Sequence, residues 1–140
     1  MKTKDMTGDI TAGKQFRKSK VLLVMEEPEQ LNHHSKYLRA QGLEVFACRS
    51  YKRGLDLLNR EVFDFIAVSQ GGVAFEGSRV VQQALETDRT TPVLVLTRAA
   101  DMKNYLEAMQ LGAVDYLEMP VPPAELVRVL RTHLRFRPAA

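Results

Sequence analysis

Cys48 is the only cysteine in this 140-residue chain, which excludes an internal disulfide and suits a reducing compartment. Long apolar runs are also missing, and none approaches the ~18–20 residues needed to cross a bilayer. Lys2 and Lys4 have no apolar stretch behind them, so no secretory signal is expected. No segment recurs at the period of a solenoid. The body of the chain has almost no net charge. Residues 1–20 carry six Lys/Arg against Asp5 and Asp9, a net of +4, whereas residues 21–140 carry 14 Lys/Arg against 15 Asp/Glu, a net of −1. The basicity therefore belongs to the N-terminal stretch. Such a stretch is able to touch nucleic acid or anionic lipid. With few large apolar groups, residues 1–19 read instead as a flexible, solvated leader. The expectation is a cytoplasmic protein with no membrane contact and no direct nucleic-acid contact.

What the chain does contain is a regular alternation of two periods. With 45% apolar and 26% charged residues, its composition is that of an ordinary globular domain large enough for its own core. Runs rich in Val, Leu, Ile and Phe at Val21–Val24, Leu43–Ala47, Val62–Val68, Val93–Thr97 and Ala113–Leu117 read as strands. Their near-continuous apolarity implies burial on both faces, as in a parallel sheet. Helical spacing links Tyr51, Leu55 and Leu58, then Val80, Val81, Ala84 and Leu85. It also links Met102, Tyr105, Leu106 and Met109, a stripe assigned mostly to the core, and finally Leu126, Val127, Leu130 and Leu134. The weakest helix, about 28–41, places Leu31 and Leu38 on one face with Ser35. Gly42 and Gly112 suit helix ends, Ser50 a helix start, and Pro28 and Pro122 first turns. Five strand–helix units between residues 20 and 136 imply a three-layer α/β domain, with 137–140 as a tail or linker.

Such domains work at the carboxyl ends of their strands, where the strand order reverses. The informative residues are therefore Met25, Glu26 and Glu27; Ser69, Gln70, Gly71 and Gly72; Thr97 and Arg98; and Glu118, Met119 and Pro120. Acids after the first strand are able to hold a metal or to serve as first-turn charges of the next helix. His33 and His34 are adjacent, point about 100° apart on a helix and cannot share a metal as an i, i+4 pair would; both read as surface residues. Nothing local marks Cys48 as activated. Ser69 lacks a G-x-S-x-G context, and Gly71-Gly72 is too short to cradle phosphate. Arg128, Arg131, Arg135 and Arg137 gather at the C-terminus, where cations complement a helix dipole.

Five motifs together resemble the receiver domain of bacterial two-component response regulators, over residues 20–136. "VLLVMEEPE" (21–29) is similar to the strand ending in paired acids. "FDFIAVSQGG" (63–72) is similar to the strand ending in the phosphoacceptor aspartate, and "TPVLVLT" (91–97) to the strand ending in the switch Thr/Ser. "LGAVDYLEMPV" (111–121) is similar to the segment with the switch aromatic and a Lys-Pro pair, and "PAELVRVLRTHLR" (123–135) to the last helix. The resemblance implies a flavodoxin-like (βα)5 fold with strand order 2-1-3-4-5 and a cis bond at Met119–Pro120.

Carried over position by position, the resemblance also implies a degenerate phosphorylation pocket. Ser69 stands at the acceptor, Met25 and Glu26 at the metal-binding acids, and Met119 at the lysine. Thr97 and Tyr116 keep the family's residue types. Phosphoryl transfer needs a nucleophilic oxygen, bridging Mg²⁺ and fixed cations. A lone carboxylate beside a thioether is a poor Mg²⁺ site, so neither metal nor cofactor is expected and Glu26 and Glu27 read as first-turn acids. The expected function is a non-enzymatic, phosphorylation-independent interaction module whose partners are signalling proteins, a kinase or an output domain. The fourth helix, fifth strand and fifth helix would offer Asp101, Tyr105, Asp115, Arg128 and Arg131 for homodimer contacts. The alternative is a sensor binding a small ligand at the crevice. No DNA-binding motif follows residue 136, so a transcriptional role would need another domain.

Overall fold

β-branched and leucine-rich runs become strands in the computed structural model, which describes residues 19–134. The strands β1 (Lys20–Val24), β2 (Glu44–Cys48), β3 (Phe65–Ser69), β4 (Val93–Thr97) and β5 (Asp115–Glu118) alternate with five helices. These are α1 (Pro28–Ala40), α2 (Tyr51–Leu58), α3 (Ser78–Thr87), α4 (Met102–Leu111) and α5 (Pro123–His133). All strand pairs are parallel, in the order 2-1-3-4-5, as expected. This is the flavodoxin-like doubly wound fold.

Alternating side chains divide the core in two. Val21 and Leu23, with Leu94 and Leu96, face Leu31 and Leu38 of α1 and Leu126, Val127 and Leu130 of α5. Leu22 and Val24, with Val93 and Val95, face Leu57 of α2, Val80, Val81 and Ala84 of α3, and Ala108 of α4. Every residue of β3 and β4 is buried, which is why these runs show no polar alternation.

The helix boundaries follow local chemistry. Ser50 caps α2, accepting a hydrogen bond from the Arg53 N–H at 3.1 Å. Pro28 opens α1, and Pro123 opens α5 one residue later than expected, with Pro122 at the cap. Gly112 ends α4 at φ +112°, a conformation L side chains rarely adopt. The Met119–Pro120 bond is cis.

Three expectations are corrected. The stripe of α4 is mostly not core: Met102, Tyr105 and Leu106 are 68%, 40% and 48% exposed, Met109 alone of the four packs against the core, and α4 buries Asn104 and Ala108. The third strand starts at Phe65, so Val62 lies before it and is exposed. His34 is not a surface residue. It is 2% exposed, sits on the buried face of α1 with Leu31, Ser35 and Leu38, and its Nε2 has no hydrogen-bond partner. The leader (1–18), the tail (137–140), Arg135 and Arg137 lie outside the described residues. Ser19, assigned to the leader, is buried and its carbonyl accepts from the Glu44 N–H at 2.9 Å.

His34 supplies a pH test. Burial, reinforced by neighbouring His33, holds its imidazole below the ordinary value. The unfolded state, titrating near ~6.5, therefore takes up this proton first as pH falls. The associated stability is complete above that value and is lost as pH falls from it toward the depressed folded value. Urea titrations at pH 7.5 and 5.5 should show wild type losing more stability on acidification than His34→Leu.

Candidate functional site

Four strand ends meet where the strand order reverses, between β1 and β3. Backbone bonds set each arriving residue in place. The Met25 N–H donates to the Cys48 carbonyl at 3.1 Å, the Gln70 N–H to the Leu96 carbonyl at 2.7 Å, and the Met119 N–H to the Thr97 carbonyl at 2.7 Å. Met25 and Met119 are 1% and 9% exposed and join the core layer packed by α1 and α5. The remaining crevice is a cleft of about 120 Å³ lined by residues that include Met25, Met119, Ser69, Leu96 and Thr97.

Ser69, the last residue of β3, is 8% exposed. Its Oγ lies 3.0 Å from the Tyr51 hydroxyl, which also donates to the Ser69 carbonyl at 3.1 Å. Burial pushes the Tyr51 phenol above its ordinary value, the hydrogen bond to Ser69 opposes this, and Glu26 and Glu76 add to it. A phenol held protonated cannot act as a base, and an un-ionised hydroxyl without a base is a weak nucleophile. Thr97 is 1% exposed, and its Oγ1 accepts from the Ala99 N–H at 3.1 Å.

The acids have separate fates. Glu26 is exposed at the mouth of the cleft. Glu27 stands at the N-cap of α1 without capping it, and its carboxylate pairs with Arg98 beyond β4. The only acid in the first turn of α1 is Glu29, so the first-turn role expected of Glu26 and Glu27 is not what the structure contains. The donors near the cleft do not fit Mg²⁺. Their side chains supply one exposed carboxylate, one engaged by a guanidinium, two thioethers and the neutral hydroxyls of Ser69 and Thr97, and no cluster of three or more His, Cys, Asp or Glu residues occurs among the described residues.

Behind the cleft, Tyr116 donates to Oε1 of buried Gln70 at 2.5 Å, and its ring meets Tyr105 edge-on with centroids 5.7 Å apart. Asp101 caps α4, accepting from the Asn104 N–H at 2.8 Å. This bond, followed by one from the Asn104 side chain, holds the Asp101 carboxyl below its ordinary value. Arg128 pairs with Glu125 at 2.8 Å and approaches Asp115 at 3.9 Å. Tyr105, Tyr116, Asp115 and Arg128 are thus contiguous, while the Asp101 carboxylate is already committed to its own helix. Cys48 is buried, and desolvation pushes its thiol up to about 11.

Fold and crevice together define a doubly wound α/β domain with its crevice at the switch point. Residues 21–131 match the response regulator receiver domain family, and the chain belongs to that family. It is 28% identical over 120 residues to response regulator protein PilR of Pseudomonas aeruginosa, a match covering 86% of this chain and 27% of PilR. It is 29% identical to Protein PetR of Rhodobacter capsulatus, a match covering 85% of this chain and 50% of PetR. The chain therefore spans half or less of these relatives. Among solved structures, a CheY-like receiver domain from Methanospirillum hungatei superposes with a TM-score of 0.77 at 21% identity, covering 82% of this chain and 92% of that one. Vibrio cholerae chemotaxis protein CheY4 gives a TM-score of 0.76 at 24% identity, covering 84% of this chain and 99% of its own.

Tyr51, Glu76 and Gly77 were not among the candidates read from sequence. Tyr51 was accessible by topology, because a helix following β2 starts at the same end of the sheet where β3 finishes. Gly77 is fixed by close approach: a Cβ there would run into the Ser69 carbonyl. Gly77→Ala should lower stability by ~1–3 kcal/mol as an overpacked site, measured by urea titration, with no comparable loss for Gly72→Ala, whose Cβ would meet only Glu76 at 3.7 Å.

Proposed function

We propose that this receiver domain acts without phosphorylation, as a protein-protein interaction module in two-component signalling. The observation that carries this reading is Ser69 at the acceptor position, with its hydroxyl bonded to the Tyr51 phenol at 3.0 Å. Around it, the positions that would bring a metal acid and a cation bring Met25 and Met119, whose flexible thioethers fill irregular space with apolar volume. Arg98 is the cation lining the cleft, and Glu27 engages it. The domain accordingly performs no catalysis, and it meets its partners, a kinase or an output domain, through its surface. The names of relatives such as PilR and PetR are consistent with that setting and identify no partner for this chain.

The small-ligand reading is disfavoured by size. A cleft of about 120 Å³ falls well below the roughly 300 Å³ at which ordinary ligand pockets begin.

Homodimer formation is part of the proposal. Met102, Tyr105 and Leu106 expose apolar side chains on α4, Tyr105 packs on Tyr116 of β5, neighbouring Asp115 approaches Arg128 of α5 at 3.9 Å, and Arg131 follows Arg128 by three residues on that helix. A patch carrying both signs is able to meet a second copy of itself about a two-fold axis. Leu106→Glu should convert a dimer to a monomer in sedimentation velocity, whereas a wild type that stays monomeric at ~100 µM would remove the dimer from the proposal, given that weak specific interfaces assemble near this range.

Incubation of the wild type with acetyl phosphate and Mg²⁺, followed by intact-mass spectrometry, should show no phosphoryl adduct. An adduct mapped to Ser69 would overturn the central claim. The triple variant Met25→Asp, Ser69→Asp, Met119→Lys should accept the group, and each single change should not, because groups that act as a unit contribute little alone.

A further inference from the structure

A circuit of hydrogen bonds runs behind the crevice and closes on itself. Gln70 is 2% exposed, yet all its polar groups have partners. Its N–H donates to the Leu96 carbonyl at 2.7 Å, and its carbonyl accepts from the Gly77 N–H at 3.1 Å. Its Nε2 donates to the Gly72 carbonyl at 3.1 Å, and its Oε1 accepts from the Tyr116 hydroxyl at 2.5 Å. That hydroxyl accepts in turn from the Asp101 N–H at 3.4 Å. The Asp101 carboxylate accepts from Asn104 Nδ2 at 2.9 Å, and Nδ2 also donates to the Val73 carbonyl at 3.2 Å. Val73 follows Gly72, and the circuit is complete.

We propose that Gln70 is a positioning residue that holds Tyr116, the first turn of α4 and the β3–α3 loop in one arrangement, so that the α4–β5 surface keeps its shape whatever occupies the crevice. The proposal rests on the preceding reading only in taking that surface as the one in use. A site can act on a distant surface only through an element with two arrangements of similar free energy. Here the three movable parts are braced against each other. Turning Tyr116 outward would leave the Gln70 amide oxygen unpaired in a buried place, and an unpaired buried polar atom is costly. Moving the first turn of α4 would break the bond of Asn104, itself 2% exposed, to Val73 and that of the Asp101 N–H to the Tyr116 hydroxyl. Because Tyr116 packs edge-on against Tyr105, a fixed phenol also fixes an exposed ring of the surface. None of these bonds involves Ser69, Met25 or Met119 side chains, so the brace does not depend on crevice chemistry.

Hydrogen–deuterium exchange with mass spectrometry tests this on the full chain. Gln70→Leu keeps the bulk of the side chain and deletes the bonds to Gly72 and Tyr116. Exchange should quicken about tenfold both in residues 72–77 and in residues 101–106, while β1 stays at the wild-type rate. Faster exchange confined to residues 71–72 would overturn the proposal, because the circuit would then not reach α4. If β1 quickens equally, the variant has lost global stability, and Tyr116→Phe, which removes one hydroxyl, decides. Loosening of 72–77 and 101–106 in that variant supports the circuit, and wild-type rates there overturn it. Phosphoryl transfer to wild-type Ser69 would sink the interaction-module reading without altering this exchange pattern, so the two failures are distinguishable.

Discussion

The position of β3 governs everything that happens at the crevice. It is the central strand of five, paired with β1 on one side and β4 on the other and buried on both faces. A strand so confined cannot slide or tilt without disturbing both core layers, so its last residue, Ser69, is delivered to one point. The neighbouring strand ends then have to arrive around that point, and the chemistry of the crevice follows from which side chains they carry. Here they carry hydroxyl, thioether and hydrocarbon, with Glu27 and Arg98 engaged to one another at the mouth.

The fold was legible because each signal was local and repeated. Two-face burial wrote itself into β3 and β4 as unbroken apolar runs, and caps such as Ser50 and Gly112 marked their helices. Periodicity states that apolar residues share a face, but not which way that face points. In α4 the core side carries Asn104 and Ala108, neither of which contributes to an apolar stripe, so Met102, Tyr105 and Leu106 were assigned inward while they stand outward. His34 failed for a related reason, since a histidine between helical leucines gives no sign of whether its ring turns in or out.

The crevice residues were legible through the motifs at the strand ends, and the side-chain types they bring were visible without coordinates. What sequence did not give was pairing at a distance. Glu27 and Arg98 are 71 positions apart, and Gln70 and Tyr116 are 46 apart. Each residue alone has an ordinary local explanation, and only the folded sheet makes them neighbours. The brace behind the crevice is therefore a product of tertiary structure, although the sidedness that makes it possible comes from parallel strands ending together.

The placement of Met25 and Met119 in the α1/α5 core layer has a thermodynamic consequence. Acids gathered at the end of a sheet repel one another until a cation arrives, and a domain built that way gains stability by mass action when the ion binds. In this domain the same volume is filled by packed sulfur and carbon, so the core continues to the rim of the sheet. On the proposed reading, its folding free energy carries no component from that region that depends on divalent ions.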